Sequence, residues 1–125
     1  MEKTKNFFEL EVWKLGHRFV LEIYELTKKF PKEEQFGITS QIRRAASSIT
    51  ANIAEGYGRH FFRDKINFYY ISRASCAEAC NFLFISRDLN LLNEKKFKDL
   101  DSLVNDINKM INAMIKYLEN KANKK

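Results

Sequence analysis

The sequence has few of the residues that interrupt helices, since its 125 residues include one proline and four glycines. No segment alternates apolar and polar residues in the manner of a half-buried strand. These two absences argue against turn-rich β architectures and predict an all-α fold. At this length we expect one domain, residues 1–125, with a core of its own.

Motifs that hold phosphates, dinucleotides or nucleophiles are also missing: GxxxxGK[ST], GxGxxG, GxSxG and CxxC do not occur. The two histidines, His17 and His60, are expected on different elements, and neither follows an arginine by four to six residues, as in one kind of helical ribonuclease. No predicted helix carries the Glu-x-x-His pair of di-iron bundles. General acid–base catalysis therefore has no clear candidates, and we expect no enzyme, no metal and no cofactor.

Cysteines and long apolar runs are scarce as well. Cys76 and Cys80 lie one helical turn apart, which suits small buried residues in a reducing compartment better than a disulfide framework. A metal site that adds His60 is the alternative. No run approaches the ~18 apolar residues of a membrane span, and the N-terminus lacks the apolar segment of a secretory signal. We therefore expect a cytoplasmic protein without a membrane partner.

What the sequence does contain is helical periodicity. Apolar residues recur at steps of three and four in segments that predict helices at about 9–29, 39–57, 62–89 and 94–120. Pro31 is expected to end the first helix, and Thr39 is expected to cap the N-terminus of the second. A glycine in the left-handed conformation, Gly56 or Gly58, is expected to end the second helix. Because the linkers are short, the helices should form an antiparallel up-and-down four-helix bundle.

Three of these helices have a well-defined apolar stripe. In the second helix the stripe is Ile38, Ile42, Ala45, Ile49, Ile53 and Gly56, and the small residues around it predict close packing on more than one side. In the first helix the stripe is Trp13, Gly16, Val20, Ile23, Thr27 and Phe30, widened by Phe19 and Leu26. In the fourth it is Phe97, Leu100, Val104, Ile107, Ile111, Met114 and Leu118.

The third predicted helix is apolar around most of its circumference, so it must cover more than one face. We expect one face to meet the other helices and the aromatic residues near its start to form a surface between subunits. The predicted interface residues are Phe61, Phe62, Tyr69 and Tyr70. Burial of these aromatics within a monomer is the alternative.

Polar residues also occur beside the apolar stripes of the second and third helices. A buried carboxylate must be paired, and Arg43 or Arg44 could pair with Glu78 across the contact between these helices. With Asn52 and Glu55 they form a predicted polar network. Its two interpretations are an internal ion pair that fixes helix register and a polar pocket that holds a ligand.

Basic residues outnumber acidic ones, giving a net charge of +6. Positions 43–73 hold six basic and two acidic residues. We predict phosphate contacts at Arg59, Arg63 and Lys65, with Arg73 and the terminal lysines, Lys121, Lys124 and Lys125, next.

The run QIRRAASSITANIAEGYGR at 41–59, preceded by Phe36-Gly37 and by LEVWKLGHRFVLEIYELTKKFP, resembles the bacterial four-helix bundle protein family, also called the 23S ribosomal RNA intervening-sequence proteins. The resemblance covers nearly the whole chain. Its most specific residues are Trp13, Phe30-Pro31, Gln41, Arg44, Ser48, Asn52, Glu55-Gly56, Ser75 and Glu78, whereas Gly16 and His17 are less typical.

The resemblance implies a left-handed four-helix bundle that assembles as a homopentamer and has no established enzymatic activity. A similar group of proteins serves as accessory factors of retroelements, where such basic barrels bind nucleic acid and a reverse transcriptase. Our leading hypothesis is a non-enzymatic oligomer that associates with structured RNA or other nucleic acid through a basic surface. The alternative is a protein-interaction scaffold or accessory factor with no direct role at nucleic acid.

Overall fold

The computed structural model describes residues 6–123, and these residues form four long helices: α1 (Glu11–Thr27), α2 (Ile38–Tyr57), α3 (Phe62–Asp88) and α4 (Glu94–Asn123). Each helix packs on the next in sequence and α4 packs back on α1, while no close backbone contacts join the diagonal pairs within this range. The chain is therefore an all-α, up-and-down four-helix bundle. At 1.5 Å per residue, α3 is about 40 Å long.

The helix boundaries follow the predicted ones closely because local signals define them. Pro31 lies beyond the last turn of α1, where it interrupts no helical hydrogen bond. Between α3 and α4 the chain turns at Asn90, which has a φ of 61°, a left-handed value that asparagine tolerates. Asn93 Oδ1 then accepts a hydrogen bond from Lys96 N at 2.8 Å and caps the first turn of α4.

Two local predictions at the ends of α2 are wrong, and one feature of the preceding linker was not predicted. Thr39 is not the cap: the helix starts at Ile38 after Gly37, and Thr39 is a buried helical residue whose hydroxyl has no hydrogen-bond partner. Gly58 follows the helix with a right-handed φ of −78°, and Gly56 lies inside the helix, so neither adopts the left-handed conformation. The linker also contains a 3₁₀ turn at Lys32–Glu34 that the sequence did not indicate.

The core is formed by isoleucine, leucine and valine from all four helices, with Phe19 and Phe97 among them. In α1 the buried face is rotated by about one position from the predicted stripe: Val12 is buried, and Trp13 and Val20 are only partly so. In α4, Leu103 and Ile115 are buried, and Met114 lies at the edge of the core.

Helices α2 and α3 approach most closely because small residues lie between them. Ser72 is fully buried and donates its hydroxyl to the carbonyl oxygen of Ile49 at 2.8 Å. At Gly56, an added Cβ would lie 2.7 Å from Cε1 of Tyr69 and 3.1 Å from Cβ of Phe68. Only glycine fits this contact, so the last turn of α2 packs directly against Tyr69 and Phe68 of α3.

The apolar residues of α3 divide between the core and the surface. Tyr69 is 2 % exposed and belongs to the subunit's own core, so its predicted place in a surface between subunits is wrong. Phe62 is partly buried against the core, whereas Phe61 is 65 % exposed. Farther along, one exposed face carries a set that we call the α3 apolar row: Tyr70, Ile71, Ala74, Phe84 and Ile85.

Candidate nucleic-acid interface

The corner between α2 and α3 gathers basic side chains at one end of the bundle. Residues 56–66 include three basic residues and one acidic residue. Arg59 stacks over the ring of Phe68 at 4.6 Å and pairs with Glu55 at 2.7 Å, so part of its charge is neutralised. It nevertheless stays exposed and held in one orientation.

Lys65 has a structural role at this corner. Its Nζ donates hydrogen bonds to the carbonyl oxygens of Tyr57 at 2.7 Å and Gly56 at 3.4 Å, which are the last carbonyls of α2. A cation is favourable at a helix C-terminus, and partial burial lowers the pKa of Lys65 below its ordinary value. Lys65 is therefore the least available of the predicted phosphate contacts.

Arg63 is the most available of them. It is exposed, and within residues 6–123 none of the ion pairs uses it. It lines an open groove with His60, Phe61 and Ala122. The groove therefore joins the α2–α3 corner to the C-terminal turn of α4, where exposed Lys121 lies over the ring of Tyr117 at 5.1 Å. We call Arg59, His60, Arg63 and Lys121 the basic corner.

The remaining predicted contacts lie elsewhere. Arg73 is nearly three helical turns beyond Arg63 along α3, where it donates to Asn112 Oδ1 at 2.9 Å and lies over the ring of Tyr70 at 5.0 Å. Lys124 and Lys125 fall outside the described residues.

The predicted polar network is divided into separate contacts, some of which join α2 to α1 and others α2 to α3. Asn52 donates to the backbone and hydroxyl oxygens of Ser48, at 2.8 and 3.0 Å, and Ser75 donates to the same hydroxyl at 2.8 Å. Glu55 pairs with Arg59. Arg43 turns toward α1, where its Nε donates to Thr27 Oγ1 at 2.7 Å and its guanidinium lies 4.4 Å from the centre of the Tyr24 ring.

Glu78 pairs with Arg44 at 2.9 Å, and Arg44 also donates to Gln41. The side chains of Arg44 and Glu78 are 60 % and 38 % exposed. The predicted pairing of Glu78 with Arg44 across the contact between α2 and α3 is therefore present, but the expectation that the carboxylate is buried, as in an internal ion pair, is wrong. An ion pair of this exposure contributes little to stability.

The two thiols have the environment of packing residues. Both cysteines are free, and burial raises the pKa of Cys76 to about 12. Burial also raises the pKa of Cys80 to about 11, helped by the hydrogen bond that Cys80 donates to Asp101 at 3.3 Å. Because the thiolate is the nucleophile, thiols with raised pKa values are unreactive at neutral pH. Within residues 6–123, no three His, Cys, Asp or Glu side chains form a group suited to a metal ion.

Sequence reasoning missed three residues of the outer surface of α3: Ile71, Phe84 and Ile85 are each more than a third exposed. The signal was present, since these residues are part of the apolar excess of the third predicted helix. It was hidden because serines, which are usually surface residues, take core positions on the opposite side.

Among the described helices, none is long and apolar enough to span a membrane.

The features above define the class of the protein: an all-α four-helix bundle with a basic corner and an apolar row on the outside of its third helix. The chain belongs to the 23S rRNA-intervening sequence protein family, whose model matches residues 8–113.

A solved structure supports the same assignment. The chain resembles a crystal structure of a protein of unknown function from the S23 ribosomal protein family of Bacteroides thetaiotaomicron VPI-5482, with 25% identity and a TM-score of 0.79. The match covers 84% of this chain and 95% of that one. A comparison with functionally curated proteins found no match. The family description names no activity, and the solved relative is itself described as a protein of unknown function.

Proposed function

We propose that this protein is a non-enzymatic, oligomeric nucleic-acid-binding protein of the cytoplasm, and that the basic corner contacts the nucleic-acid backbone. The observation that carries the proposal is the position of Arg63, an exposed cation without an ion-pair partner in the described chain, beside the exposed ring of Phe61 and near Lys121. Single-stranded nucleic acid is commonly bound by cations that follow the phosphates and rings on which bases stack. The two free thiols support a reducing compartment.

Assembly of several copies would increase the number of basic corners that one nucleic-acid molecule can contact. The α3 apolar row leaves aromatic and branched side chains exposed at two positions about 21 Å apart along the helix. An apolar surface of this kind on a small bundle favours contact with another copy. The family resemblance implies five copies, and a ring of five would bring five basic corners into one assembly.

The proposal is tested by measuring fluorescence anisotropy with a labelled single-stranded RNA and with an RNA hairpin. Arg63→Gln removes one charge at the corner, and we expect at least a threefold weaker Kd at about 50 mM salt. Lys98→Gln is the matched control, because Lys98 is exposed near the start of α4, at the opposite end of the bundle, and like Arg63 takes part in none of the ion pairs within residues 6–123. Equal effects of the two variants would show that only net charge matters and would defeat the proposal.

The second candidate is an interaction scaffold, and the α3 apolar row favours it. If the row binds another protein and the charge serves only solubility, Ile85→Ser should weaken assembly while Arg63→Gln leaves every measured interaction unchanged. Light scattering with and without nuclease treatment reports stoichiometry and co-purified nucleic acid in one measurement. Nucleic acid that stays with the wild-type protein and is lost in Arg63→Gln would favour the first function.

A further inference from the structure

An apolar cavity lies where α1 begins and α4 ends. Its volume is about 200 Å³, and it is lined by Leu10, Tyr57, Lys65, Tyr69, Met114, Tyr117 and Leu118. It shares no lining residue with the groove at the basic corner. A volume of about 150 Å³ is enough for benzene in an enclosed apolar cavity, so this cavity, which is open to solvent on one side, has room for a single ring and a short substituent.

Lys65 is the one cation in the wall of this cavity. Its ammonium group has three N–H bonds, and the carbonyl oxygens of Gly56 and Tyr57 accept two of them. Within residues 6–123, no carboxylate lies within ion-pair distance of Lys65. The ammonium also lies 5.3 Å from the centre of the Tyr57 ring. It therefore has two carbonyl acceptors and an aromatic face beside it, but no negatively charged partner among these residues.

The lining restricts the ligand that could supply that charge. Apolar sites with one or two convergent polar groups are typical of small-molecule binding, and here the polar group is cationic. A phosphate or a free nucleotide would bury several charged oxygens against Met114 and Leu118, which offer no hydrogen bonds. A carboxylate needs only one strong donor, and its apolar body would replace water against the rings of Tyr69 and Tyr117.

From this arrangement we propose that the cavity binds a small organic carboxylate with a ring-sized apolar body, held by the ammonium group of Lys65. The proposal is independent of nucleic-acid binding.

Two probes that differ in charge test the proposal by ligand-observed NMR titration at neutral pH. One is 3-phenylpropionate and the other is 3-phenylpropan-1-ol, which has the same ring and chain without the charge. A charge-assisted hydrogen bond is about twice as strong as a neutral one, so we expect the carboxylate to bind at least about tenfold more tightly. Equal or tighter binding of the alcohol, or no binding of either probe up to about 10 mM, would overturn the proposal.

Variants test whether the probes bind in this cavity. Lys65→Met keeps the length of the side chain and removes its charge, so the preference for the carboxylate should disappear. Met114→Phe narrows the cavity and should weaken both probes, whereas Arg63→Gln at the basic corner should change neither. Lys65→Met could fail to fold because α2 loses its C-terminal cap. In that case the proposal is tested by comparing the affinities of the two probes for the wild-type protein and for Met114→Phe. Carboxylate binding that Arg63→Gln abolishes and Met114→Phe leaves intact would place the ligand outside the cavity and refute the proposal.

Discussion

The close contact between α2 and α3 can be tested by one methyl group at Gly56. In Gly56→Ala the new Cβ would lie 2.7 Å from Cε1 of Tyr69 and 3.0 Å from its Cδ1, well inside the ~3.5 Å at which carbon atoms attract. The ring is buried and the next nearest atom, Cβ of Phe68, is fixed to the backbone of α3, so the helices must separate. Overpacking of this kind costs about 1–3 kcal/mol, and the higher helix propensity of alanine returns up to about 1 kcal/mol.

Gly58→Ala is the matched control, two residues further along the chain. A Cβ at Gly58 meets nothing nearer than 3.7 Å, and its φ of −78° suits alanine, so the change should be neutral or stabilise the protein by up to about 1 kcal/mol. Thermal unfolding followed by circular dichroism, at one protein concentration, should show a Tm roughly 5 °C lower for Gly56→Ala and unchanged or higher for Gly58→Ala. A Tm for Gly56→Ala at or above that of Gly58→Ala would refute the packing described here.

Three further predictions concern side chains whose surroundings the structure defines. Tyr69→Ala should lower the free energy of unfolding by about 3–5 kcal/mol because it empties a core position, while Phe61→Ala at an exposed position should change it by under about 0.5 kcal/mol in chemical denaturation. Between pH 9 and 12 the unfolded protein loses the Cys76 proton and the folded protein keeps it, so the free energy of unfolding falls as pH rises. In Cys76→Ala this fall should be smaller by about 2 kcal/mol between pH 8 and about 10.5. The measurement compares the free energy of unfolding of the two proteins as a function of pH. Glu78→Gln should lower Tm by under about 3 °C, because the pair with Arg44 is largely exposed; a much larger fall would mean that this pair is essential to the bundle.

The fold was predictable because its determinants are local. Helical periodicity, a single proline and short linkers defined four antiparallel helices, and their ends lie within about three residues of the predicted ones. The details that depend on tertiary contact were not predictable. Thr39 looked like a cap but is buried, and Gly56 looked like a helix end but is the point where the ring of Tyr69 meets α2.

The candidate site was predicted only in part, for a related physical reason. Arg59 and Arg63 were identified because they surround a predicted corner. Which groups surround each cation depends on how segments distant in sequence meet. Lys65 donates a hydrogen bond to a carbonyl oxygen at the end of α2, and Lys121, in the last turn of α4, lies at the same end of the bundle as Arg63. The apolar cavity beside Lys65 is lined by residues of α2, α3 and α4 and by Leu10 just before α1, so no spacing within a single helix predicts it.

The salt dependence of RNA binding tests the central claim most directly. Three exposed cations at the basic corner, Arg59, Arg63 and Lys121, predict a slope of log Kd against log salt of about 2 for a single strand, so raising salt from about 50 to about 200 mM should weaken binding roughly 20-fold. The same titration with Arg63→Gln should give a slope lower by about 0.7. Absence of binding at about 50 mM salt, or a Kd that does not change with salt, would contradict the account.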